Sequence, residues 1–142
     1  MNDSNIEVGT ILGFDPGRDK CGVAVMNNRD LVSHQIVDAE GAIATIVQLV
    51  KNYAVNLVVM GNGTTSKTWQ QQIESRLPNV SIVAVNEANS TLEARDRYWV
   101  MYPPQGLGRL IPQSLRTPPR PVDDIVAILL IERYLASVIS NQ

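Results

Sequence analysis

Three acidic positions in this 142-residue chain stand where a fold could turn carboxylates into chemistry. Asp15 ends the apolar run Thr10-Ile11-Leu12-Gly13-Phe14 at the turn Asp15-Pro16-Gly17, Glu87 follows the run that closes on Val85, and Asp123-Asp124 opens a long apolar stretch. If the runs are strands and the stretch is a helix, all three lie at element ends. In open α/β sheets, sites gather just beyond the carboxyl ends of parallel strands. Carboxylates gathered without lysine partners repel one another unless a cation neutralises them. Oxygen-only donors favour hard cations, Mg²⁺ or Mn²⁺. Two such ions can activate water and stabilise the leaving oxygen of a phosphodiester. On spacing alone a plainer assignment has the advantage: Asp15 begins a turn, Asp123 caps a helix and Glu87 is solvated.

The elements that would position these residues can be read from hydrophobic period. Three β-rich segments, residues 10–14, 22–26 and 31–37, are joined by tight polar connections and predict an antiparallel meander. Across residues 41–52, Ala42, Ile43, Ile46, Val47 and Val50 recur at helical spacing. Leu57-Val58-Val59-Met60 is unbroken apolar sequence, expected of a strand covered on both faces. Trp69, Ile73 and Leu77 mark a second helix stopped by Pro78, and residues 80–85 a fifth strand. Ser90-Thr91-Leu92-Glu93 has the form of a capping box opening a third helix, and residues 125–139 form the last. The order βββαβαβα predicts an α/β fold, a mixed five-stranded sheet whose first three strands are antiparallel, with helices on both faces.

Residues 102–121 break this regularity. Six of the eight prolines fall there, which predicts a long irregular loop. Loops of that length are usually functional or mobile. Arg95, Arg97, Arg109, Arg116 and Arg120 face only Asp96 between residues 95 and 120, a local charge of +4. Arg109, Arg116 and Arg120 could hold a nucleic-acid backbone, and the interleaved Tyr98, Trp99 and Tyr102 could stack on unpaired bases; an ordinary exposed loop is equally consistent. Gly61-Asn62-Gly63-Thr64 lies between a strand and a helix, where free N–H groups could hold a phosphate, Asn62 and Thr64 included. It lacks the Lys-Ser/Thr of a Walker loop.

Composition sets limits. With 44% hydrophobic and 18% charged residues the chain has the balance of a folded domain, and its length suits one domain over residues 1–142. Cysteine and histidine occur once each, Cys21 and His34, so an intrachain disulfide is impossible and a Cys/His zinc site nearly so. Cys21, beside Gly22-Val23-Ala24-Val25, is expected to be a buried small apolar residue, and His34 to be structural or solvated. No Gly-x-Ser-x-Gly elbow is present. The start, Met1-Asn2-Asp3-Ser4-Asn5, has no signal-peptide pattern, and no run of eighteen apolar residues suits a membrane helix. A cytoplasmic setting, without a membrane, is the expectation.

Four segments carry a resemblance. The segment Phe14-Asp15-Pro16-Gly17-Arg18-Asp19-Lys20-Cys21-Gly22-Val23-Ala24-Val25 resembles the opening motif of the YqgF family, in the RuvC-like branch of the ribonuclease H-like fold. Asn86-Glu87-Ala88-Asn89-Ser90-Thr91-Leu92-Glu93-Ala94 is similar to its Asp-Glu-Arg-x-Ser/Thr-Thr segment, with Asn86 for the usual Asp and Ala88 for the usual Arg. Val122-Asp123-Asp124-Ile125-Val126-Ala127 resembles its closing Val-Asp-x-x-Ala-Ala. Gly61-Asn62-Gly63-Thr64 departs from the family's Gly-x-Pro and is closer to the Gly-Asn-Gly-Thr of the YqgF-like domain in Tex transcription accessory proteins.

The resemblance implies a ribonuclease H-like fold and a Mg²⁺- or Mn²⁺-dependent nuclease. Asp15, Glu87 and Asp123 would be its catalytic and metal carboxylates, with Asp124 at a variable position. Lys20 would stand where many members have Arg, keeping a positive charge near a phosphate without the bidentate geometry. The implied partner is nucleic acid, precursor ribosomal RNA or branched DNA, with RNA somewhat ahead. Symmetric junction resolution would require a homodimer. Two other readings stay open. One is a non-catalytic nucleic-acid-binding module of the same fold. The other is an actin-like or kinase-type ATPase, against which the length argues, since those enzymes need two such domains.

Overall fold

The computed structural model describes residues 8–140. The N-terminal pentapeptide and both ends of the expected 1–142 domain lie outside the described residues. Five strands, β1 (Thr10–Asp15), β2 (Lys20–Asn27), β3 (Asp30–Asp38), β4 (Leu57–Gly61) and β5 (Ser81–Val85), form one sheet in the order β3-β2-β1-β4-β5. The first three are antiparallel; β4 and β5 run parallel to β1. The four helices are α1 (Ala42–Tyr53), α2 (Ser66–Arg76), α3 (Ser90–Met101) and α4 (Asp123–Ser140). None is long and apolar enough to cross a membrane.

Alternation along the strands assigns the two faces. Leu12, Phe14, Cys21, Val23, Val25, Val58 and Met60 point towards α1 and α2. On that side Ala42, Ile46, Leu49 and Val50 form the buried stripe of α1, and the Trp69 ring of α2 meets Phe14 edge-on at 5.2 Å. Ile11, Ala24, Met26 and Val59 point the other way, towards α3 and α4. Seven consecutive residues of α4, from Ile125 to Ile131, are buried, as a helix hydrophobic all round should be.

Glycine sets how closely α4 lies on the sheet. A Cβ at Gly13 would come within 2.2 Å of the Ala127 carbonyl oxygen, and one at Gly22 within 1.8 Å of the Asp123 carbonyl oxygen. Only hydrogen at these two positions lets the helix backbone rest directly on β1 and β2. Gly22 is also the β2 residue registered opposite Asp15, so the same contact carries the first turn of α4 to the end of β1.

Two local expectations are corrected. No capping box forms at Ser90: the residue before α3 is Asn89 at φ 62°, without a side-chain cap bond, and Ser90 is the buried first residue of the helix. Glu93 is drawn instead to Arg133 of α4, at 3.0 Å. The proline-rich segment is not wholly irregular, since two 3₁₀ turns, Gly106–Leu110 and Gln113–Leu115, punctuate it.

Candidate active site

Backbone geometry brings Asp15, Glu87 and Asp123 to one edge of the sheet. Asp15 is the last residue of β1, and β1 and β4 are in register through Phe14 and Met60, so Gly61 ends β4 at the same level. β5 ends beside it, with Val85 opposite Gly61. Two residues on, Glu87 folds back across β4. A Cβ at Gly61 would lie 2.1 Å from one Glu87 carboxylate oxygen, and one at Gly63 2.4 Å from the other. Asp123 arrives from the opposite face through its seat on Gly22.

The electrostatics record this convergence. Burial, then the negative charges of Asp123 and Glu87, and last a hydrogen bond to Asp123, push the Asp15 carboxyl from the ordinary 3.8 to about 7. All these influences act in the same direction. A protonated Asp15 can donate to the Asp123 carboxylate. The donor chemistry fits a hard divalent cation, which would replace that shared proton. As placed, no three His, Cys, Asp or Glu side chains among the described residues enclose a single ion, because the Glu87 carboxylate is turned onto the Gly61-Gly63 loop.

That loop is therefore shaped around Glu87. The Asn62 N–H is spent on the Val85 carbonyl, at 3.0 Å, while the side chains of Asn62 and Thr64 are exposed. Lys20, opposite Asp38 in the β2–β3 register, is paired with the Asp38 carboxylate. Cys21 is fully buried, and burial pushes its thiol up, as suits a packing residue rather than a nucleophile.

Sequence reasoning missed the arrangement around Asp124. Its side chain is buried, with one oxygen 2.7 Å from His34 Nδ1 and the other 2.9 Å from an Arg120 nitrogen. A carboxylate only accepts, so Nδ1 carries the hydrogen. Burial alone would raise the Asp124 carboxyl; the bonds and charges of Arg120 and His34 outweigh it and hold the group below its ordinary value. Arg120 also lies over the rings of Tyr98 and Tyr102, at 5.4 and 5.8 Å. Arg116 bonds the carbonyls of Ile111 and Arg109 and sits over Trp99, while Arg109 reaches only the Gly106 carbonyl, at 3.5 Å. Tyr98 and Trp99 thus serve the interior of the loop, and the buried Trp99 indole N–H has no partner among the described residues. Within the sequence the only signal for this network was a lone histidine on an edge strand.

RuvC of Thermus thermophilus in complex with a Holliday junction substrate superposes with a TM-score of 0.57 at 17% identity, over 92% of this chain and 96% of that one. A second Thermus thermophilus RuvC structure gives 0.54, also at 17% identity, over 91% and 96%. The fold is ribonuclease H-like. Protein tex of Bordetella pertussis is 32% identical over 97 residues, 58% of this chain. The match takes in only 12% of that protein's length. The family model described as the Tex protein YqgF-like domain matches residues 9–94, a stretch that includes Asp15, Lys20, the Gly61-Gly63 loop and Glu87 but stops short of Asp123. With well over half its length matched, this chain belongs to the Tex protein YqgF-like domain family.

Proposed function

We propose that the domain is a metal-dependent nuclease that cleaves phosphodiester bonds in structured nucleic acid, with precursor ribosomal RNA ahead of four-way DNA junctions. One observation carries the reading: Asp15, Glu87 and Asp123 converge at the carboxyl edge of the sheet, and among the described residues none of the three has an ion-pair partner. A fold that keeps an uncompensated cluster of this kind gives up stability for it. Mg²⁺ or Mn²⁺ held by Asp15, Glu87 and Asp123 would supply electrostatic stabilisation of the phosphate's developing charge.

This chain's own residues do the rest. Asp15, central in the cluster, orients the donors and holds a proton up to neutral pH when no cation is present. Gly61 and Gly63 leave room for the Glu87 carboxylate, and the Asp123 backbone is fixed by Gly22. Lys20, Asn62, Thr64, Arg109 and Arg116 lie outside the cluster as positioning groups for a backbone, whereas Arg120 is engaged with Asp124. The reading places the domain in the cytoplasm, and junction resolution would pair two copies.

The turn of Glu87 away from a common ion position favours a second reading, a nucleic-acid-binding module of the same fold without catalysis. Incubation of labelled precursor ribosomal RNA and a four-way DNA junction with Mg²⁺, with Mn²⁺ and with EDTA separates the two. The nuclease gives cleavage that EDTA abolishes; binding of either substrate without cleavage in any metal selects the module.

A further inference from the structure

Along α3 nearly every side chain after Ala94 is committed to a neighbour. Asp96 accepts from Gln113 at 3.3 Å, and Arg97 makes a two-pronged pair with Glu132 at 2.7 and 3.0 Å. Tyr98 receives Arg120, and Trp99 receives Arg116. Beyond the helix, Arg133 is held by Glu93 and the Asn86 carbonyl. Among the described residues, Arg95 has neither a hydrogen-bond acceptor nor an ion-pair partner, although it stands among these paired groups.

Its location gives that freedom a meaning. Arg95 and Thr91, one turn apart on the same face of α3, line a cavity of about 240 Å³. Thr117 and Pro118, from the end of the 102–121 segment, and Asp123, the first residue of α4, also line it. Arg120 lines it as well, with its guanidinium turned to Asp124. An open cavity thus gathers the uncommitted Arg95 and two threonines with Asp123 of the candidate site along one lining.

We propose that Arg95, with Thr91 and Thr117, forms the seat for a phosphodiester of the nucleic-acid strand presented to the carboxylates. A guanidinium offers a planar fork of donors that fits two phosphate oxygens, and a hydroxyl can donate a further bond. The loop arginines, which sequence alone singles out, spend donors on their own backbone; Arg95 spends none. The inference rests on the nuclease reading for what lies beside the phosphate, and on this cavity alone for the binding.

The test is binding, measured in EDTA so that cleavage plays no part. Fluorescently labelled hairpin RNA and a four-way DNA junction are titrated with wild type, Arg95→Ala, Arg95→Lys and the double variant Arg109→Ala/Arg116→Ala over a range of KCl concentrations. Arg95→Ala should weaken binding about tenfold and make the slope of log affinity against log salt shallower by about one unit. Arg95→Lys should keep the slope and lose part of the affinity. Arg95 is exposed, so an unchanged thermal midpoint is the check on folding. Unchanged affinity and slope in Arg95→Ala, whatever the loop double variant does, overturns the seat. Separate cleavage assays in Mn²⁺ distinguish the two failures. A wild type that binds through Arg95 but never cleaves sinks the nuclease reading and leaves the seat. One that cleaves while Arg95→Ala binds normally does the reverse.

Discussion

Asp123 and Asp124 are consecutive residues in the first turn of α4, yet their charges are handled in opposite ways. Asp124 is nearly inaccessible and has a donor for each oxygen, one from β3 and one from the end of the proline-rich segment. Asp123 faces Asp15, and burial first, then the charges of Asp123 and Glu87, raise that carboxyl to about 7. Because a helix turns about 100° per residue, one aspartate is directed to the neutralised side and the other to the unneutralised side. The difference separates a charge the fold uses from a charge the fold leaves available. A buried carboxylate with a donor for each oxygen is structural, and removing a partner strands it. A group of carboxylates with none costs stability until something external neutralises it.

Substitution at Asp15 should break the comparison most strongly. Asp15→Asn keeps the shape and removes the central charge, so metal-dependent cleavage should fall by more than about a hundredfold, as when several kcal/mol of electrostatic stabilisation are lost. Stability without metal should move the other way. The folded protein holds the Asp15 proton up to about pH 7, whereas the unfolded chain loses it near 3.8. Its contribution is therefore complete below that lower value and is lost as pH rises through about 7. In EDTA, Asp15→Asn should remove that downward slope and raise the thermal midpoint at pH 8. A midpoint unchanged or lowered at pH 8 would show that Asp15 is not strained by its neighbours. Asp124 has the opposite sign: its carboxyl is depressed, so its contribution is present above the ordinary carboxylate value and fades as pH falls through the depressed one.

Next in size is Arg120→Ala, which leaves Asp124 buried with His34 alone. Chemical denaturation should show a loss of about 2 kcal/mol. A loss within a few tenths of wild type would mean that Asp124 does not depend on the pair. The smallest effect sharpens the role of Glu87. In Gly63→Ala the new methyl would sit 2.4 Å from a Glu87 carboxylate oxygen, the mobile end of a flexible side chain. The thermal midpoint should shift little, while cleavage changes about tenfold as Glu87 is pushed off the loop; identical kinetics would remove Glu87's placement from the mechanism.

Much of this was legible because it is local. Asp15 and Glu87 follow strands whose apolar runs and terminating turns are visible in sequence, and the order of elements predicts the sheet. Choosing Asp123 over Asp124 required the family register, since both residues look alike as helix openers. What stayed hidden is long-range. His34 meets Asp124 across 90 positions, and no periodicity links them. Gly13 and Gly22 read as ordinary strand glycines until α4 is laid upon them. Gly61 and Gly63 suggested a phosphate loop because the pattern cannot say that a glutamate from the next strand's end occupies the space. The arginines were visible as a count, but which of them is uncommitted depends on the turns of the 102–121 segment.

The seating of α4 also bears on how the molecule comes to exist. Every strand described precedes this helix in the chain, yet with α3 it covers one face of the sheet and brings the third carboxylate with it. Its contacts with β1 and β2 close loops of roughly a hundred residues, and that closure carries an entropic cost. A chain still emerging from its synthesis would carry Asp15 and Glu87 on a sheet with one face open, and nothing opposite them. The helix that completes the hydrophobic core is the one that completes the acidic cluster, so the site exists only where α4 is seated on the sheet.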